Sequence, residues 1–278
     1  MKEMTLKEVQ QVSLEILQEF HDFCVKNNIH YSLSGGSLLG AIRHNGFIPW
    51  DDDIDVQMPR PDYDKFVHTY VSGDKYKLFC RELSEFNNWN IGFPYARLCD
   101  VQKTIVDQGL KPLFPEGIGL GIDILPCDGM PSDEKEARIH LKKNLIMQER
   151  AYWSCIKLLP WTSVSKAKGL KEKLKFVIKK VISSIYGLQS FDRVYKTKKK
   201  YDYKTSDYFF AIPHYGMREW QPKENMESFI LHQFENRQFY IMSGWDANLS
   251  SLFGDYMILP PENKRIAHSF NRYYWKKD

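Results

Sequence analysis

Four aspartates fall in five consecutive positions, Asp51-Asp52-Asp53-Ile54-Asp55, and Val56 follows. Ionised carboxylates this close repel one another, so the fold must keep them in water or give them a counter-charge. On an extended strand, successive side chains point to opposite faces. A strand over 53–57 therefore puts Asp53 and Asp55 on one face and Ile54 and Val56 on the other. The apolar face joins a core, and the acidic face presents two carboxylates on a rigid element. Such a pair suits a hard divalent cation, which takes carboxylate oxygen and keeps positions open for substrate phosphate. The competing reading is solvated turn aspartates. It stays open for Asp51 and Asp52, which follow Pro49-Trp50, and the interleaved apolar residues disfavour it for Asp53 and Asp55. An EF-hand loop needs glycine at its sixth position and glutamate at its twelfth. Val56 and Asp62, or Met58 and Asp64, stand there instead.

Just upstream lies Ser34-Gly35-Gly36-Ser37-Leu38-Leu39-Gly40. It is neither a dinucleotide fingerprint nor a P-loop. A strand over 31–33, a Gly-Gly-Ser turn and a helix capped by Ser37 nevertheless make a phosphate cradle. Glycine lets a phosphate approach the backbone, and the helix N-terminus offers free N–H groups.

Elsewhere the periodicity predicts a helix over 5–27, from Val9, Val12, Ile16, Phe20 and Phe23. A helix over 61–71 starts on Pro61. Strands are expected near 76–81, 93–99, 103–107 and 119–125. Pro126 to Glu134 reads as a turn, with Asp128 shaping it. Helices follow from Ser132-Asp133 to about 156, then over 165–186 and 191–201. The last third reads as strands near 208–212, 227–230 and 236–242, a short helix and turn over 245–257, and a final helix after Pro260-Pro261. Alternating helix and strand in the first half favours an α/β or α+β core. The five cysteines form no CxxC pair, which argues for small core residues in a reducing compartment. A net charge of +4 is too mild to mark a nucleic-acid protein. The N-terminus lacks the apolar run of a signal peptide.

The combination of hGGS with Trp-Asp-Asp-Asp-Ile-Asp-Val resembles the nucleotidyltransferase superfamily. The longer string GGSLLGAIRHNGFIPWDDDIDVQMPRPDYDKF is similar to one branch of it, the LicD family. GIDILPCDGMP at 121–131 and YMILPPENKRIAH at 256–268 also look like this family. The resemblance implies an α+β fold: a nucleotidyltransferase-like (DNA polymerase β-like) mixed sheet flanked by helices. It divides the chain into a catalytic core at 1–130, a basic helical insertion at 131–205 and a small C-terminal α/β part at 206–278 that completes the core. It implies Mg²⁺-dependent transfer of phosphocholine from CDP-choline to a hydroxyl of a glycan, a teichoic acid or lipopolysaccharide precursor, with release of CMP. Mn²⁺ is the alternative ion. Ribitol phosphate, glycerol phosphate and phosphoethanolamine are alternative cargoes. Nucleotidyl transfer from an NTP and a non-catalytic nucleotide-binding module are the other readings.

Matched residue by residue, Gly36 and Ser37 hold the donor's phosphates, and Asp53 and Asp55 bind the metal. Asp123, between Ile122 and Ile124, is the expected third carboxylate, binding metal or accepting the acceptor hydroxyl's proton. Arg43, Arg97, Arg265 and His268 are candidate partners of the donor phosphates, the last two on the expected final helix. The expected partners are thus a CDP-alcohol and a glycan or lipid-linked glycan, without nucleic acid. The expected location is cytoplasmic, with peripheral contact at the inner face of the cell membrane as a further reading. That reading comes from residues 166–188, which hold seven lysines and one glutamate beside a stripe of Leu170, Leu174, Val177, Val181, Ile185 and Leu188. The stripe suits an anionic membrane or, equally, an ordinary core with the lysines outside.

Overall fold

The computed structural model describes residues 1–80, 94–107, 118–155, 161–167, 169–186, 191–266 and 272–276. A short strand, β1 (Lys2–Glu3), leads into α1 (Leu6–Lys26). Thr5 and Glu8 close a capping box there, satisfying N–H groups the first turn would leave bare. Val9, Val12, Ile16 and Phe20 are buried along one face. After β2 (Ser32–Leu33), α2 (Gly35–His44) begins two residues before the expected cap. Ser34 is the N-cap, and Ser37 lies inside the first turn. β3 (Asp55–Pro59) starts at Asp55 rather than Asp53. The Ile54 carbonyl already accepts the Asp123 N–H, at 3.0 Å.

Next come α3 (Arg60–Thr69), β4 (Tyr76–Phe79), β5 (Ala96–Asp100) and β6 (Thr104–Asp107). β7 (Gly121–Met130) runs through the segment expected to turn. Asp128 is therefore a strand residue. It is 1% exposed, and its two oxygens accept Arg60 Nε and Nη2, both at 2.7 Å. Lys198 Nζ lies 3.7 Å away. The paired cations make burial of that carboxylate tolerable and override the local turn signal.

The helical stretch follows: α4 (Glu134–Cys155), α5 (Leu170–Tyr186) and α6 (Phe191–Lys198). Among the described side chains of α5, Phe176, Lys180 and Ser183 are buried, whereas Leu170, Leu174, Val177, Ile178, Val181 and Ile182 are exposed. The apolar stripe faces out, against the core-facing reading. Leu188 and the side chain of Ile185 lie outside the described residues.

β8 (Tyr208–Phe210) and β9 (Gln221–Pro222) extend the far end of β7. The main sheet runs β2-β3-β7-β5-β4. β3 and β7 are parallel, with Asp55 beside Asp123, and β5 is antiparallel to β7, with Arg97 beside Asp123. Paired residues on neighbouring strands share a face, so Asp55, Asp123 and Arg97 form a row across the sheet. α1 packs on β5 and β7, and α3 on β3 and β7. The two helices meet edge to face, Phe20 on Phe66 at 5.0 Å and Phe23 on Tyr70 at 4.9 Å.

The hairpin of β10 (Phe229–Phe234) and β11 (Arg237–Met242) packs beside β2. At its tip, Glu235 donates its N–H to the Asn45 carbonyl at 2.6 Å, and its carboxylate accepts the Phe47 N–H at 3.0 Å. That contact holds the loop carrying the chain from α2 to the aspartates. α7 (Trp245–Phe253) packs on α2. Among the described residues, no helix follows Pro260-Pro261. A 3₁₀ turn, Glu262–Lys264, forms there, and β12 (Arg272–Trp275) pairs with β1 and β6. The architecture is a mixed α+β fold. Among the described residues, no helix is long and apolar enough to cross a membrane.

Candidate active site

The start of α2 and the chain entering β3 are laced together by backbone. Ser34 donates its N–H to the Asp55 carbonyl at 3.0 Å, and Asp55 donates its N–H to the Ser37 hydroxyl at 2.9 Å. The serine expected at the phosphates thus also fixes Asp55, and its O–H remains free to donate elsewhere. Gly35 takes φ +51°, and a Cβ on Gly36 would lie 2.9 Å from Asp51 Oδ2. Only glycine lets the helix start and the acidic loop approach this closely. Gln10 of α1 braces the loop from behind, donating to the Asp51 carbonyl at 2.8 Å.

A cleft of about 660 Å³ opens on this junction. Gly36, Arg43, Asp51, Asp53 and Asp55 share its wall, and Tyr215, Phe253, Tyr256 and Lys264 stand among its other residues. Asp51 thus belongs to the site face, while Asp52 is buried outside the lining. Arg43 donates to the Tyr256 carbonyl at 2.7 Å. Arg265 hangs beside the cleft, its guanidinium 5.7 Å over the Trp50 ring and its Nε donating to the Pro260 carbonyl. It caps a 3₁₀ turn rather than riding a helix with His268, which lies outside the described residues.

Asp123 and Arg97 sit behind the cleft, one and two strands away. Arg97 is 7% exposed, with Nη1 3.3 Å from Asp123 Oδ1 and Nη2 donating to the Gly121 carbonyl. The structure puts it against a carboxylate rather than in the cleft wall. Tyr95 donates its hydroxyl to Asp123 Oδ2 at 3.2 Å. Among the described residues, Asp123 Oδ1 receives no hydrogen bond, and its charge is met by the Arg97 guanidinium 3.3 Å away.

The electrostatics follow from crowding. Burial, then Asp51, Asp123 and Asp52, pushes the Asp53 carboxyl up to about 8. Burial lifts Asp51 to about 6 against the pull of a hydrogen bond from Asp53. Asp55 stands well above the carboxylate range, raised by burial and by Asp53, Asp123 and Asp51, with Arg97 opposing. Burial raises Asp123 too, with Arg97 and the Tyr95 hydroxyl opposing. Arg43 is lowered by burial and by the neighbouring Arg265. The cluster is short of positive charge, made of oxygen donors, and holds one orphaned oxygen. A hard divalent cation fits on each count. Among the described residues, no three His, Cys, Asp or Glu side chains converge into a finished cage. Mg²⁺ characteristically uses one or two carboxylates and completes its shell with substrate phosphate and water.

Sequence reasoning missed Tyr95, Tyr215, Phe253 and Lys264. Tyr95, Tyr215 and Phe253 reach the site from separate parts of the chain with no local motif around them, whereas Lys264 lies inside the family-like string at 256–268. The signal that could have found Tyr95 is its place two residues before Arg97 on the approach to β5.

Residues 28–94 match the family described as LicD/FKTN/FKRP, nucleotidyltransferase domain. Over 283 aligned residues, 99% of this chain and 99% of the relative, the chain is 35% identical to the lipopolysaccharide cholinephosphotransferase LicD of Haemophilus influenzae. A shorter likeness, 40% identical over 62 residues, joins 22% of this chain to 20% of an uncharacterized protein of Rickettsia typhi.

Proposed function

The chain belongs to the LicD family, and from that premise we propose that it transfers phosphocholine from CDP-choline to a hydroxyl of a lipopolysaccharide-type glycan, releasing CMP. What supports the reading is the cleft in which Gly36, Arg43 and three aspartates share one wall, in a chain alike from end to end to a lipopolysaccharide cholinephosphotransferase.

The donor's pyrophosphate lies against Gly36 and the first N–H groups of α2, with the Ser37 hydroxyl donating to it. Asp53 and Asp55 hold Mg²⁺, and Asp123 supports them from the next strand. The ion supplies charge stabilisation for the entering and leaving oxygens of an in-line displacement. The acceptor oxygen attacks the phosphorus that bears choline. The bond to the bridging oxygen breaks, and CMP leaves with that electron pair. Asp51, the third carboxylate of the wall, takes the acceptor's proton on its carboxylate oxygen, as general-base chemistry requires. Arg43 and Lys264 offset the donor's negative charge. Tyr215 and Phe253, with ring centroids 6.0 Å apart at 76°, offer an aromatic corner for the trimethylammonium group.

The test is the identity of the transferred group. With CDP-choline and a choline-free lipopolysaccharide, the acceptor should gain the mass of one phosphocholine. A gain of a cytidylyl group, or a larger gain with CDP-ribitol, CDP-glycerol or CDP-ethanolamine, would replace the reading. Tyr215→Ala should raise KM for CDP-choline several-fold more than for an uncharged CDP-alcohol.

A further inference from the structure

Helix α5 wears its apolar side outward. Leu170 is 83% exposed, Leu174 59% and Ile178 48%, while Phe176 is 4% exposed. Leu170, Leu174, Val177, Ile178, Val181 and Ile182 recur every three or four residues and form one stripe on the helix. The buried set, Phe176, Lys180 and Ser183, has the same spacing and lies on the opposite side. A 17-residue helix is about 25 Å long, so the exposed stripe is a continuous strip rather than scattered residues. Monomeric proteins rarely leave such a strip in water. The charges beside it have one predominant sign: Lys171, Lys173 and Lys175 are exposed around the stripe, and Glu172 is the acid among them.

The same helical stretch repeats this chemistry. A hollow of about 430 Å³ between α4 and α6 is lined by the apolar Ile139 and Ile146 and by the cations Lys142, Lys143, Arg150 and Arg193. Among the described residues, no acidic side chain lines it. An apolar surface ringed by lysine and arginine is complementary to one occupant above others, a lipid surface that offers hydrocarbon beneath an anionic headgroup layer.

We propose that α5 docks this protein on an anionic bilayer, with Leu174, Ile178 and Val181 entering the headgroup–acyl boundary and the flanking lysines meeting lipid phosphates. The docking holds the enzyme where an amphiphilic acceptor is found. That purpose rests on the proposed transfer, whereas the docking itself does not.

The experiment is vesicle co-sedimentation of the full chain. Phosphatidylglycerol-containing vesicles should bind it at least ~10-fold more tightly than pure phosphatidylcholine vesicles, and binding should weaken with added salt. Leu174→Asp with Ile178→Asp should remove the binding. Charge reversal at Lys171, Lys173 and Lys175, which leaves the stripe intact, should weaken it by a similar factor. Both variants replace exposed side chains, so thermal unfolding and CMP release without vesicles should match the wild type. That keeps a failure of docking apart from a failure of the catalytic reading. Three results would overturn the proposal: no sedimentation with either vesicle, sedimentation unchanged in both variants, or a dimer in sedimentation velocity that Leu174→Asp with Ile178→Asp dissolves. The last would make a second copy of the chain the occupant.

Discussion

Burial and three neighbouring carboxylates lift the carboxyl of Asp55 well above its ordinary range, and the Arg97 guanidinium offsets this only in part. The residue is therefore kept at a cost to the fold, and the cost should be measurable. In metal-free protein, Asp55→Asn should raise the melting temperature by roughly 2–4 °C for each kcal/mol of repulsion relieved. Mg²⁺ should then stabilise the wild type and leave the variant unmoved. Calorimetry with and without the ion checks both halves. Gly36 gives a steric counterpart. In Gly36→Ala the new Cβ sits 2.9 Å from Asp51 Oδ2, so either the aspartate or the helix start must shift. We expect an unfolding midpoint close to wild type with at least ~10-fold lower kcat/KM for CDP-choline, since misplacement by about 1 Å is enough to cost that much. An unchanged kcat/KM would remove the cradle from the account.

At the scale of elements, β7 carries one charged cluster toward each end: Asp123 near its start and Asp128 near its finish. The second cluster is structural, a carboxylate gripped by Arg60 with Lys198 beside it. Arg60→Ala should cost about 3–5 kcal/mol, because it leaves buried Asp128 without its bidentate partner; urea denaturation reads this directly. Glu219, ending the 3₁₀ turn Gly216–Glu219, adds a pH-dependent term. Burial pushes its carboxyl from 4.5 up to about 8, against Lys198 and the Ile212 and Ala211 N–H groups. The folded state thus holds this proton more tightly than the unfolded chain does. Stability from this residue is full below pH ~4.5 and falls as pH rises through about 8. Glu219→Gln should flatten that fall by a few kcal/mol, seen as a smaller difference between urea midpoints below pH ~5 and above pH ~8.

The elements also show what could be read from the chain alone. α1 and the placement of Ile54 and Val56 in the core were legible, because burial on one side leaves a period that survives in the sequence. Ser37 looked like a cap because caps are local and serine favours them. Its hydroxyl instead serves the Asp55 N–H, a partner on another element. Asp128-Gly129 looked like a turn, and only the distant Arg60 and Lys198 make it a strand. β12 left no local signal because its partners, β1 and β6, lie far away in sequence. The α5 stripe was visible as a period, but a period does not say which way its face points. Gly36, Ser37, Asp53 and Asp55 were legible as a motif, whereas Tyr95, Tyr215 and Phe253 were gathered by the fold.

For the whole molecule, the two ends of the chain meet in one small sheet, β1-β12-β6. The largest apolar cluster draws on α1, α2, α3 and on strands from β2 to β11. Arg43 and Lys264, from opposite ends of the sequence, reach the same cleft. The site therefore depends on the long-range fold, and its acidic wall and its basic rim must arrive together to hold the proposed donor pyrophosphate. If this wall binds a metal and cleaves a CDP-alcohol, both properties show in the CMP formed from CDP-choline by wild type, Asp53→Asn and Asp55→Asn, each with Mg²⁺ and again with excess EDTA. CMP is expected from wild type with Mg²⁺ alone, and at least ~100-fold less in the other five samples. CMP formed at the wild-type rate by either variant, or undiminished in EDTA, would contradict it.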